Sequence, residues 1–286
     1  NHRGVVSVKG LNTYTGPTTF SGGVLSVATI GNGGVAGGLG QADNAAANLV
    51  LNGGTLQYTG ASASTDRNFT INAGQTATFD IDSGSTDLTL SGASAASSGG
   101  LTKTGPGTLT LAGTHAYTGA TAITGGTLAI GNGGSIDTTS GVGLSNNATI
   151  AFNQSSNQSS STAFSPVISG AGSLVKDGSG ALTVSGDNSF AGTTTVSGGT
   201  LVMGHANALG NASNALVLNA GTLNLNGNSL SVSSLSGSAG TVSNSSASTL
   251  AILTANASGN STFSGVIQDG VGSVGLTKSG SGSLTL

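Results

Sequence analysis

Leucine and threonine alternate strictly in Thr108-Leu109-Thr110-Leu111, and the same two-residue period returns at Leu182 and Val184 and at Leu284 and Leu286. Side chains alternate across a strand, so each stretch predicts a short β-strand with one buried face. A second predicted strand holds Ile123 or Val196 inward among threonines. A third begins at Gly-Gly-Thr-Leu, with Leu128 or Leu201 inward. An aromatic residue (Tyr14, Tyr117 or Phe190) precedes the second strand. The predicted inward set is Leu109, Leu111, Ile123, Leu128, Leu182, Val184, Phe190, Val196 and Leu201.

These strands belong to a module that recurs at 5–27, 99–130, 164–203 and 263–286, with β-rich inserts at 31–98 and 204–262. Its corners carry Gly-x-Gly (Gly105 and Gly107, Gly178 and Gly180) and Gly-Gly (Gly198 and Gly199). Glycine there permits a left-handed backbone or close approach by a neighbouring turn. Strands so short, with such corners, are too small for a sandwich. They fit an all-β solenoid in which each strand pairs with the one a coil above. At roughly 20 residues per coil and ~4.8 Å between coils, the chain is expected to form about 14 coils in one segment, 1–286. Three polar stretches, Ser94–Ser98, Asn153–Thr162 and Gly237–Ser248, read as surface loops. Both ends interrupt a module, and Asn1 follows neither Met nor a signal segment, so a processed product or a slice of a longer protein is expected.

Composition narrows the field further. Among 286 residues there are 51 Gly, no Cys, no Trp and nine acidic residues, all Asp. Glu is absent and Lys, Arg and Gln are scarce, which argues against helices. Low-complexity disorder would have depleted the apolar content, yet 36% of the chain is hydrophobic and alternates. Six basic residues spread over the chain give no nucleic-acid footprint. No apolar run has the length of a membrane helix. Without cysteine, disulfide staples, thiol catalysis and thiolate metal sites are excluded.

The run Gly100-Leu101-Thr102-Lys103-Thr104-Gly105-Pro106-Gly107-Thr108-Leu109-Thr110-Leu111, with Asn12-Thr13-Tyr14-Thr15-Gly16 for the second half, resembles the autotransporter-associated β-strand repeat. His115 in place of Asn, Phe190 in place of Tyr and Gly23-Val24-Leu25 in place of Gly-Thr-Leu are small departures. That resemblance implies a right-handed parallel β-helix of the type V secretion pathway. It also implies display at a Gram-negative cell surface or secretion, with a C-terminal outer-membrane β-barrel elsewhere in the full-length chain. A structural passenger or stalk segment, not an enzyme and without cofactors, is the expected role. Self-association or a ligand on a host or cell surface are the expected partners. The alternatives are a filament or sheath formed by end-to-end stacking, a polysaccharide-active β-helix enzyme, and an ice- or crystal-binding face on threonine runs such as Thr193–Thr195.

Candidate chemistry is sparse. Asp80, Asp82 and Asp87, around a Gly84 turn, are a weak Ca²⁺ candidate, since hard cations take clustered oxygen ligands. Solvated outward carboxylates are the simpler expectation. Lys103, Lys176 and Lys278 are equivalent copies beside the Gly-x-Gly corner and are expected to be solvated. His2, His115 and His205 are unrelated in position, and His115 is expected to make the structural hydrogen bond of the Asn it replaces. Gly-x-Ser-x-Gly is absent, and no Ser–His–Asp set can be argued from spacing.

Overall fold

The computed structural model describes residues 4–155 and 162–286. Among the described residues the chain is all-β apart from one 3₁₀ turn, Ala46–Asn48, and its strands pair in parallel from coil to coil. It is a β-solenoid. Two compact units divide it, one through Thr149 and one from Ile150 to Leu286.

In the first unit the chain winds around three faces. One carries Val5–Val8, Val24–Val27, Gly54–Tyr58, Thr76–Ile81, Gly100–Thr104, Thr121–Ile123 and Val142–Leu144, each paired with the next. A second carries Ala63–Thr65, Asp87–Leu90, Thr108–Leu111 and Thr127–Ile130. The third is broken into Thr18–Phe20, Leu49–Leu51 and Thr70–Ile71, then Ser94–Ser97 beside His115–Tyr117. Register holds residue for residue along Asp87–Leu90, Thr108–Leu111 and Thr127–Ile130, whereas it shifts between Ser94–Ser97 and His115–Tyr117. Leu109 lies between Leu88 and Leu128, and Leu111 between Leu90 and Ile130. All six are at most 3% exposed, so identical rows of aliphatic groups stack up the inside. Each such burial contributes about 1.5–3 kcal/mol, while ladder hydrogen bonds satisfy the main chain between coils.

The second unit repeats the scheme. Thr162–Phe164, Ala181–Val184, Thr200–Met203, Thr222–Asn224, Thr241–Ser243 and Val266–Ile267 form one face. Ser173–Lys176, Thr194–Val196, Ala215–Leu218 and Ser234–Ser236 form another. Leu230–Val232, Leu250–Asn256 and Ser273–Ser279 form the third. Leu182, Leu201, Leu223 and Val242 make one continuous inward row.

Several details differ from the sequence-based expectation. Coils number about twelve, not fourteen, because the inserts lengthen them: Val24 pairs with Thr55, a step of 31 residues, where Thr108 pairs with Thr127, a step of 19. Ser94–Ser97 is a strand, not a loop, because Ser94 pairs with His115. Gly237–Ser248 contains the strand Thr241–Ser243. Much of the expected loop 153–162, and His2, lie outside the described residues. Thr193–Thr195 is no flat exposed rank: Thr194 points inward, 1% exposed, between Leu174 and Leu216.

Candidate functional site

The two full repeats build the same unusual feature, a lysine inside the solenoid. Lys103 occupies the inward row Leu56, Phe79, Lys103, Ile123 and Leu144. Lys176 sits likewise in line with Val196 and Leu218. Both residues are 0% exposed, so the expectation of solvated corner lysines is wrong for them. A buried ammonium needs compensation. Here it comes from main-chain carbonyls instead of a carboxylate.

Lys103 Nζ donates to Thr104 O at 2.6 Å and Gly105 O at 3.0 Å in its own turn, and to Gly125 O at 3.2 Å in the next coil. Lys176 Nζ donates to Asp177 O at 2.5 Å, Gly178 O at 2.9 Å and Gly198 O at 3.3 Å. Three N–H donors thus meet three acceptors, the full capacity of an ammonium. Lys278 donates to Ser279 O and Gly280 O in its own turn and is solvent-exposed.

Local backbone geometry makes this corner possible. Gly105 and Gly178 turn at φ +74° and +69°, which aims their carbonyls at the ammonium. Close approach governs the upper coil. A Cβ on Gly199 would stand 2.2 Å from Gly180 O and 2.8 Å from Lys176 Nζ. The repeat therefore spans two coils: Lys-x-Gly-x-Gly supplies the cation and its own turn, and the Gly-Gly some 22 residues on closes the cage. Burial lowers the Lys103 pKa to about 8 against the opposing pull of Asp80, and lowers Lys176 against Asp177. A lysine with a lowered pKa can also serve as a base or Schiff-base former. Enclosure by three carbonyls leaves this one no route to a substrate, so its chemistry is to hold two coils together.

Arg67, also unanticipated, does the same for a loop. It is 2% exposed. Nε donates to Gly31 O, Nη1 to Ala42 O, and Nη2 to Asn32 O, Val35 O and Gly40 O, at 2.8–3.2 Å. Asp66 adds a bond from Gly33 N at 2.7 Å. The long connection between Val27 and Leu49 is thereby folded around one guanidinium. Tyr14 lies over Gly40 at its edge, and Val35 at its tip is exposed.

The remaining candidates take up structural positions. Leu109, Leu111, Ile123, Leu128, Leu182, Val184, Phe190, Val196 and Leu201 are all fully buried. Asp80, Asp82 and Asp87 do not assemble a calcium site. Asp80 accepts from Gln57 Nε2 and Asp87 from Thr110 Oγ1, each across its own ladder, and no metal-holding group of three exists among the described residues. His205 faces Asp187 at 3.8 Å on the surface. His115 departs from expectation: it is buried, and neither ring nitrogen has a hydrogen-bond partner. Burial pulls its pKa down to about 4.

The model of the Passenger-associated-transport-repeat matches residues 7–27, 101–130 and 174–203, and the latter two contain the Lys and Gly-Gly of the clamp. The chain is thus a β-solenoid that carries this passenger repeat in three matched stretches. The chain is 37% identical over 314 aligned residues to the Adhesin BmaC autotransporter of Brucella suis biovar 1 (strain 1330). That alignment covers 98% of this chain and 9% of the relative, so the chain spans about a tenth of the relative's length. No solved structure matches it significantly.

Proposed function

We propose that this chain is a non-enzymatic spine segment of a surface-displayed or secreted autotransporter-type adhesin. The reading rests on one observation above all. Each full passenger repeat is a two-coil unit closed by its own buried lysine, so the repeats serve to stack coils. The adhesin name of the relative, matched over nearly all of this chain, supports the attachment role. In this account the spine presents loops such as the Arg67-bound connection outward, and ordering that loop in advance lowers the entropic cost of binding through it. The full-length protein carries an outer-membrane β-barrel that delivers the segment to the Gram-negative surface.

The test fuses the chain to an autotransporter barrel and expresses it in a non-adherent host. Surface-protease shaving should release a folded, protease-resistant segment, and the cells should gain attachment or aggregation. A segment retained inside the cell contradicts the passenger reading. Display without any gain of attachment or aggregation contradicts the adhesin reading.

A further inference from the structure

The position that His115 occupies is filled by Asn188 in the other full repeat, each two residues before the module's aromatic, Tyr117 or Phe190. Asn188 uses both ends of its amide. Oδ1 accepts from Ile168 N at 2.7 Å, and Nδ2 donates to Ala208 O at 2.7 Å, so the side chain ties three successive coils. His115 reproduces neither bond. Its ring lies against Phe69, with centroids 5.3 Å apart, and both nitrogens are unpartnered.

The polar groups around the ring are engaged elsewhere. Ser94, its ladder partner in the coil below, takes the Ala116 N–H on its hydroxyl. In the coil above, Ser135 O accepts from the His115 main-chain N–H and the Ser135 hydroxyl goes to Asp137. Thr138, also above, gives its hydroxyl to His115 O and Tyr117 O. Among charged groups on the adjoining elements, Asp137 is exposed at the surface. Arg67 and Asp66, just before Phe69, are bound to the 31–42 connection. None of these bonds the imidazole.

We propose that His115 is an acid-sensitive latch: its protonation opens the coil layer 94–117 and uncovers the aromatic interior of Phe69, Phe79 and Tyr117. The neutral ring is tolerated because it carries no net charge and its face lies against Phe69. An imidazolium carries two donors and a charge, and here neither ring nitrogen has a protein acceptor. Stacking on Phe69 gives the cation some relief, but burial wins, holding the pKa near 4. The coil around Asn188 has no buried histidine, so it provides an internal control.

Amide hydrogen exchange on the 286-residue chain, corrected for intrinsic rates, tests this at about pH 7.5 and about pH 4.5. Protection across 94–117 should fall at least about tenfold at the lower pH, while 168–190 keeps its protection. His115→Asn, and His115→Phe as a neutral aromatic, should each abolish that fall; if His115→Phe does not fold, His115→Asn decides alone. The proposal is overturned if protection of 94–117 does not change with pH, if 168–190 loses it equally, or if the fall persists in His115→Asn.

Discussion

Lys103 Nζ reaches across a coil boundary to Gly125 O at 3.2 Å, and Lys176 stands in the same relation to Gly198 at 3.3 Å. Each ammonium also caps two carbonyls of its own turn, so removing it takes the shared donor from three acceptors at a buried position. Such orphaned groups cost more than the bonds themselves contribute.

Replacing Lys103 by Met keeps the aliphatic stem and deletes the ammonium. Stability should fall by about 1–3 kcal/mol, and Lys176→Met should do the same in its own coil. Urea denaturation followed by circular dichroism reads the change. Midpoints equal to the parent's would mean that the carbonyl cage contributes nothing.

His115 gives the fold a pH dependence of known sign. Its native pKa is lowered to about 4 from an ordinary 6.5, so between those values the unfolded chain binds the proton and the native one does not. Stability therefore rises with pH across this window. The contribution is complete above about 6.5, is lost as pH falls toward 4, and amounts to about 3 kcal/mol. Urea midpoints of the parent and His115→Asn should converge at neutral pH, apart from a constant offset, and diverge in acid. A pH-independent difference between the two contradicts the assignment.

The connection between Val27 and Leu49 depends on Arg67 for five main-chain contacts. Arg67→Ala should release it, so that a broad-specificity protease cuts within 31–42 at least about tenfold faster while the coils stay intact. Arg67→Lys, with three donors for five acceptors, should fall between. Unchanged cleavage would mean that the loop holds itself.

The coil architecture was legible because it is written in local alternation. Thr108–Leu111 and Ala181–Val184 carry a period of two, and short strands between glycine corners have few other solutions. Lys103 and Lys176 were misjudged even though the signal was present: each stands two residues after a leucine, Leu101 or Leu174, and so shares its face. What escaped was that three carbonyls from two coils can satisfy an ammonium, a contact with a partner some 22 residues away. Arg67 left no trace in the sequence, since its acceptors are backbone atoms and every residue has one. The replacement of Asn by His at 115 was visible, but its lost hydrogen bonds could be recognised only beside Asn188.

Register is the premise of every contact described, and the lack of native cysteine makes it directly measurable. Thr108 and Thr127 are facing ladder partners, whereas Thr110 pairs with Ala129. Adjacent coils place facing Cα atoms about 4.8 Å apart, inside the range a disulfide spans, while a two-residue offset places them beyond about 7 Å. Under mild oxidation, Thr108→Cys with Thr127→Cys should close an intramolecular disulfide nearly quantitatively. Thr110→Cys with Thr127→Cys should keep both thiols free. Equal cross-linking of the two pairs, or preference for the offset pair, would contradict the stacked coils.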